Sequence, residues 1–352
     1  MHEQFLLAAL RQACLRRGST APNPSVGAVA VCAENIIAQA AHPGVGHPHA
    51  EQLLLQVLPE DCSSITIYVT LEPCNHWGRT PPCVDALIAR RVKQVVYAYA
   101  DPNPIVAQNN TPALLKAHGI DVLHYPMPVI NKFYESYAFW LRTGRPWVTV
   151  KMAQTFDGKI AGEGGARTML SNAACADFTH QERLHTGVIL TTAKTIQADN
   201  PLLNARVGDD VVAKPIAVLD RTRSLAASAN IHQTAKPLHL YHGKPDEKQL
   251  DLHAILDDLG RIGYHDVWVE AGAELFNHLH QQNLVQRTYL YLVPNILGPR
   301  ALSLYPQDTP ENILAKAKHI AWDAMGDNLK VTLDWQANAQ DNFIEESTCS
   351  QD

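Results

Sequence analysis

The chain has 352 residues, 46% hydrophobic and 18% charged, with a formal net charge of −6 and a pI near 6.3. That length accommodates two domains with separate cores. The acidic balance argues against an electrostatic nucleic-acid binder. No run of about eighteen apolar residues occurs, so no transmembrane helix and no membrane partner are expected.

The opening "MHEQFLLAALRQACLRR" reads as an amphipathic helix with Phe5, Leu6, Ala9, Leu10 and Ala13 on one face. Its short apolar part is interrupted by Arg11 and Gln12 and follows no basic segment, unlike a secretory signal. Strands "VGAVAV" and "IIAQA" flank a polar turn at Glu34 and Asn35. The helical "HAEQLLLQVL", the β-branched "ITIYVTL", the helical "CVDALIARRV" and the strand "QVVYAYA" come next. A helix from Pro112 to His118 ends at Gly119, and "IDVLHY" closes the series. This β-β-α-β-α-β order predicts a three-layer α/β domain.

The helix-like "NKFYESYAFWLRTG" leads to a boundary near residue 145. The second half restarts with the strand "WVTVKMA". It continues through "TGVILT", "KPIAVLD", "PLHLYH", "DVWVEAG" and "RTYLYLVP", with helices between several of them. The expected domains are residues 1–145 and 146–345, with 346–352 a disordered polar tail. Seven cysteines, an odd number without framework spacing, fit a reducing cytoplasm. Cys14, Cys32, Cys62 and Cys175 read as packing residues, and Cys349 falls in the tail.

The chemistry concentrates in "HPHAEQLLL" and "LEPCNHWGRTPPCVDAL". His49, Cys74 and Cys83 are three zinc ligands, one short of a closed structural site. Catalytic zinc sites combine three protein ligands with water, whose pKa the metal lowers. Glu51, two residues after His49, is a carboxylate suited to moving the protons of such a reaction. A proline precedes each cysteine, and Pro82 suits the first turn of a helix whose N-terminus favours a thiolate at Cys83. Nucleobase deaminases carry H-x-E followed by P-C-x-x-C; here eight residues separate the cysteines. Two plainer readings stand beside the catalytic one. His76 completes a structural site, or His49 caps a helix, Glu51 is solvated and the cysteines are buried thiols.

In order, "PNPSVGAVAV", "HPHAEQ", "TLEPCNHWGRTPPCVDALI" and "DPNP" resemble the deaminase domain of the bifunctional riboflavin-biosynthesis deaminase/reductase family. The long insertion between the cysteines is typical of that family. The resemblance implies a cytidine-deaminase-like three-layer α/β/α domain followed by a dihydrofolate-reductase-like α/β domain. Zinc would sit on His49, Cys74 and Cys83, with Glu51 as proton shuttle. The implied substrate is a small phosphorylated pyrimidine, 2,5-diamino-6-ribosylamino-4(3H)-pyrimidinone 5′-phosphate. Asn23, His42, His76, Asp101 and Asn103 would line its pocket, and Arg79 is suited to phosphate. The Asn and Asp residues read equally well as turn formers.

In the second half "VKMAQTFDGKIA", "ERLHTGVILTTAKTIQADNPLLNAR", "VWVEAGAELFNHLHQQNLV" and "YLVPNILG" resemble the family's reductase blocks. The implied reaction is reduction of ribosyl to ribityl by NADPH. Arg183, Leu203, Arg206 and Glu270 would contact substrate. Ala153, Met169, Thr195, Asp199 and the turn at Gly272 would contact NADPH. Departures stand out: Thr155 and Phe156 replace a usual Ser-Leu, "GARTMLS" puts Arg167 and Met169 where the family has a small polar residue and a tryptophan, "DRTRS" has Arg221 at a hydroxyl position, and in the first domain "AQNN" replaces a Gly-rich loop. Arg167 or Arg221 is suited to gripping a phosphate. A homo-oligomer through the second domain is expected. The alternatives to a bifunctional enzyme are a deaminase with a silent reductase and a zinc-stabilised binding protein. The intact Glu51 weighs against the last.

Overall fold

The structure, a computed structural model, describes residues 2–77, 81–107, 109–244, 246–305 and 316–336. The expected tail at 346–352, Arg79 and Cys349 lie outside them. The chain divides into one compact unit of Met1–Pro146 with Asp257–His265 and another of Trp147–Leu256 with Asp266–Asp352.

The first unit contains α1 (His2–Cys14), β1 (Gly27–Cys32), β2 (Asn35–Ala41), α2 (Ala50–Gln56), β3 (Thr66–Leu71) and α3 (Cys83–Ala89). It continues with β4 (Gln94–Tyr99), α4 (Pro104–Ala107), α5 (Thr111–Ala117), β5 (Asp121–His124) and α6 (Pro128–Thr143). The five strands lie in the order β2-β1-β3-β4-β5, parallel from β3 to β5. Strand alternation builds the layers. Val29, Val31 and Tyr68 pack with Leu6, Ala9, Ile130 and Tyr134 of α1 and α6. Ala28, Ala30, Ile67 and Val69 pack on the other face with Leu54, Leu87 and Leu115 of α2, α3 and α5. Gly27 is required by packing: a Cβ there would lie 2.1 Å from the Ala9 carbonyl oxygen. The helix α4 was not expected from "DPNP", because its four residues are too short for periodicity to register.

The second unit begins with β6 (Trp147–Thr155), β7 (Lys159–Glu163), α7 (Ala173–His185), β8 (Val188–Thr192), α8 (Ala193–Asp199), β9 (Ala205–Val207) and β10 (Asp210–Val212). Next come β11 (Ile216–Leu219), α9 (Ile231–Thr234), β12 (Leu238–Tyr241), α10 (Leu252–Ile262, counted with the first unit from Asp257 on), β13 (Asp266–Glu270) and α11 (Ala273–Gln281). It ends with β14 (Arg287–Val293), β15 (Ala301–Ser303), β16 (His319–Met325) and β17 (Asn328–Asp334). Its main sheet has the order β12-β11-β8-β13-β6-β14-β17-β16, parallel from β12 to β14 and antiparallel through β17 and β16. The carboxyl ends of β8, β13 and β6 therefore lie side by side, the edge at which open α/β sheets bind ligands.

Candidate active sites

In the first unit, His49 is the N-cap of α2, with extended backbone, and its carbonyl accepts from Leu53 N at 3.0 Å. Its side chain makes no cap and is free to face the cysteines. Cys83 is the first residue of α3, and Pro82 is the N-cap, one position outside the first turn in which the sequence placed it. The Cys83 N–H donates to Cys74 Sγ at 3.3 Å, so the helix start itself supports a thiolate on Cys74.

His49 Nδ1 lies 3.4 Å from Cys74 Sγ and 3.3 Å from Cys83 Sγ. The three donor atoms lie within 4.8 Å of one another, and this group includes no fourth ligand among the described residues. Tetrahedral zinc with Zn–S of about 2.3 Å and Zn–N of about 2.0 Å holds sulfur and nitrogen about 3.5 Å apart. The donor set and its spacing fit zinc. Glu51 stands in the first turn of α2 and is 4% exposed. Burial pushes its carboxyl up to about 6, with His49 pulling it down. A hydrogen bond from Cys83 lowers the Cys74 thiol against the effect of burial, and Cys83 is raised in return. The bond with Cys74 lifts His49 to about 9.

Around this centre, the buried His42 donates from Nδ1 to the Pro48 carbonyl at 3.1 Å and accepts at Nε2 from Asn23 Nδ2 at 3.0 Å. The carbonyl fixes this tautomer, and burial lowers the pKa of the ring. His42 thus braces the loop that delivers His49, with the two rings 5.2 Å apart and edge-on. Asp101 and Asn103 form successive turns: Asp101 Oδ1 accepts from Asn103 N at 2.9 Å and Asn103 Oδ1 from Ile105 N at 3.1 Å. Burial lifts the Asp101 carboxyl to about 6. His76 does not join the ligand group; its Nδ1 is buried without a partner among the described residues. Glu72, quoted in the motif but given no role there, accepts from Asp101 N at 3.2 Å and ties that turn to the Cys74 loop.

In the second unit, Arg183 and Glu270 form a bidentate pair, Nε–Oε1 2.6 Å and Nη2–Oε2 2.8 Å. Arg183 also donates to the Asn204 carbonyl at 3.1 Å, and Trp268 Nε1 to Glu270 Oε1 at 2.7 Å. Burial opposes the Glu270 charge, but Arg183 and Lys151 overcome it and hold the carboxyl down at about 2. Lys151 sits opposite Glu270 in the register of β6 and β13, with Nζ 5.2 Å from the Tyr291 ring centroid. Burial lowers its pKa. Leu203 is buried with φ 48°, and Arg206 is exposed and meets His180.

The expected cofactor residues lie on several elements. Ala153 lies near the end of β6 and Thr195 in the first turn of α8, where Thr192 accepts from its N–H at 3.1 Å. Asp199 ends α8 and lies 3.7 Å from the departing residue Arg167. Gly272 is the N-cap of α11, with φ −77° and ψ −179°, and a Cβ there would meet nothing within 4 Å. Neither backbone geometry nor internal packing requires that glycine. Met169 is 77% exposed, and Arg221 donates to the Glu247 carbonyl at 3.2 Å. His180 and Asn204 were not singled out from the sequence.

Residues 146–331 match the family described as RibD C-terminal domain, and residues 1–99 the cytidine and deoxycytidylate deaminase zinc-binding region. The riboflavin biosynthesis protein RibD of Escherichia coli is 31% identical, covering 91% of this chain and 97% of its own. That of Corynebacterium ammoniagenes is 34% identical over 84% and 87%. The structure of Acinetobacter baumannii RibD superposes with a TM-score of 0.82 at 29% identity, covering 95% of this chain and 98% of that one. A Thermotoga maritima structure, a diaminohydroxyphosphoribosylaminopyrimidine deaminase/5-amino-6-(5-phosphoribosylamino)uracil reductase, gives 0.82 at 26% identity over 95% and 98%. A cytidine-deaminase-like unit that binds zinc is thus joined to a reductase unit that uses NADPH. The chain belongs to the RibD family of bifunctional deaminase/reductases of riboflavin biosynthesis.

Proposed function

We propose that residues 1–145 hydrolyse the 2-amino group from 2,5-diamino-6-ribosylamino-4(3H)-pyrimidinone 5′-phosphate. Residues 146–345 then reduce the ribosyl group of the product, 5-amino-6-(5-phosphoribosylamino)uracil, to ribityl. The observation that carries the deaminase reading is the three-ligand cluster with the buried Glu51 beside it. His49, Cys74 and Cys83 hold zinc, which when bound acts as a Lewis acid and activates water. Glu51 takes up the proton of the attacking water on its carboxylate and delivers it to the leaving amine, so that ammonia departs. Asn23, His42, His76, Asp101 and Asn103 read the pyrimidine and ribose phosphate; His76 Nδ1, without a partner among the described residues, supports a polar ligand there.

In the reductase unit, Arg183, Leu203, Arg206 and Glu270 contact substrate, with Arg206 directed to its 5′-phosphate. Ala153, Met169, Thr195, Asp199 and Gly272 form the NADPH side; the open space at Gly272 supports a dinucleotide at the start of α11. A homo-oligomer through this unit is supported by the edge strand β16, on which Trp322 is 61% and Ile320 43% exposed. Cysteine usage supports a cytoplasmic location, and the net charge of −6 a protein without nucleic-acid partners. Elemental analysis tests the metal assignment: one zinc per chain is expected in the wild type and none in the Cys74→Ser, Cys83→Ser double variant. Stoichiometric zinc in that variant would exclude these ligands.

A further inference from the structure

Arg183 and Arg206, the two arginines assigned to substrate, are held in opposite ways. Arg183 is neutralised by Glu270. Arg206 has no carboxylate partner among the described residues, and its charge remains open to an anion. What it does have is His180, on α7 three residues before Arg183.

The His180 ring meets Arg206 twice. The Arg206 backbone N–H donates to Nδ1 at 3.2 Å, and Arg206 Nη2 lies 2.9 Å from Nε2. A neutral imidazole carries one acceptor nitrogen and one N–H, so it can accept only one of these donors. With the proton on Nδ1, the ring accepts from the guanidinium and gives up the bond from the Arg206 backbone N–H. With the proton on Nε2, it holds the backbone and turns an N–H toward the guanidinium. A protonated ring turns N–H groups toward both. Burial, then Arg183 and Arg206, lower the pKa of His180, while Glu270 and the Asn204 carbonyl raise it. The ring is therefore a neutral acceptor near neutral pH. Beside it, Asn204 is 7% exposed and its Oδ1 is buried without a partner among the described residues. That leaves an acceptor unused at the same spot, as expected where a ligand supplies the missing donor.

We propose that His180 is a positioning residue for reduction: with its proton on Nδ1, the ring holds the Arg206 guanidinium at Nε2, in place for the 5′-phosphate of the substrate both before and after that anion binds. The inference rests on the assignment of Arg206 to the substrate phosphate. A guanidinium tethered by a neutral ring keeps its full charge, whereas a carboxylate tether would have to be displaced by the incoming anion.

The test is steady-state reduction of 5-amino-6-(5-phosphoribosylamino)uracil by full-length wild type and the His180→Ala, His180→Gln and Arg206→Ala variants. Ammonia release serves as the folding control. His180→Ala should raise the substrate KM about fivefold, the worth of one ordinary hydrogen bond, with kcat and the NADPH KM unchanged. His180→Gln, which retains an acceptor at similar reach, should return KM close to wild type. An unchanged KM in His180→Ala alongside a raised KM in Arg206→Ala would overturn the role of His180 alone. An unchanged KM in Arg206→Ala would overturn the reading on which it rests. A joint loss of kcat, NADPH affinity and thermal stability in both His180 variants would mark a packing role and equally overturn the proposal.

Discussion

Glu51 and Glu270 are both buried carboxylates, and their neighbours send them in opposite directions. Glu51 is dominated by burial and raised to about 6; Glu270 faces the same penalty but has Arg183 and Lys151 beside it, and is held near 2. Replacing Glu51 with Gln should leave zinc in place and cut ammonia release by about 10²–10⁴-fold, the usual worth of general acid–base catalysis. NADPH oxidation with the deaminated substrate supplied should be unchanged. Wild-type ammonia release by that variant would remove Glu51 from the reaction. For Glu270 the consequence is stability. A carboxyl whose folded pKa is depressed contributes fully above its unfolded value of about 4.3, and the contribution is lost as pH falls through the folded value. Glu270→Gln, which leaves Arg183 without its charged partner, should cost about 3 kcal/mol at pH 7. The difference from wild type should shrink between about pH 4.3 and 2 in denaturant titrations. A pH-independent difference would show that the ion pair is not its source.

The elements that carry the sites were legible to different degrees. "HPHAEQ" placed a histidine and a glutamate on either side of a helix start, and the structure makes them N-cap and first turn of α2. The cysteine loop was legible because each Pro-Cys pair has a local reason. By contrast, β16 carries exposed residues on both faces, so no alternation announced the strand, and β7, β9, β10 and β15 are too short or too mixed to register. His180 and Arg206 are 26 residues apart and meet only because α7 packs on β9; no spacing rule reaches that far. Gly272 was quoted as a turn, and the structure adds that its Cβ position is open. Gly272→Ser keeps a good N-cap residue, so the melting temperature should hold. The NADPH KM should rise about tenfold if a dinucleotide backs onto the start of α11. An unchanged KM would place the cofactor elsewhere.

At the scale of the whole molecule, one chain carries two chemistries on two sheets of different construction. The first places His49 and Cys83 at the starts of α2 and α3 and Cys74 in the loop after β3, and the second sets Glu270 at the carboxyl end of β13 beside Lys151 in the middle of β6. In sequence, Arg167 and Met169 stand apart from the family pattern that the reductase unit resembles, and Arg167 lies 3.7 Å from Asp199, which is proposed for the NADPH side. On the proposed NADPH side, the exposed Met169 offers an apolar surface smaller and more flexible than an indole, which should weaken cofactor binding without abolishing it. The most direct measurement follows ammonia and NADPH together in one reaction containing the diaminopyrimidinone phosphate and saturating NADPH. One ammonia released and one NADPH oxidised per substrate is the predicted result, with the second lagging the first. Full ammonia release with no NADPH consumed, even when the deaminated substrate is supplied directly, would contradict a bifunctional enzyme and leave a deaminase alone.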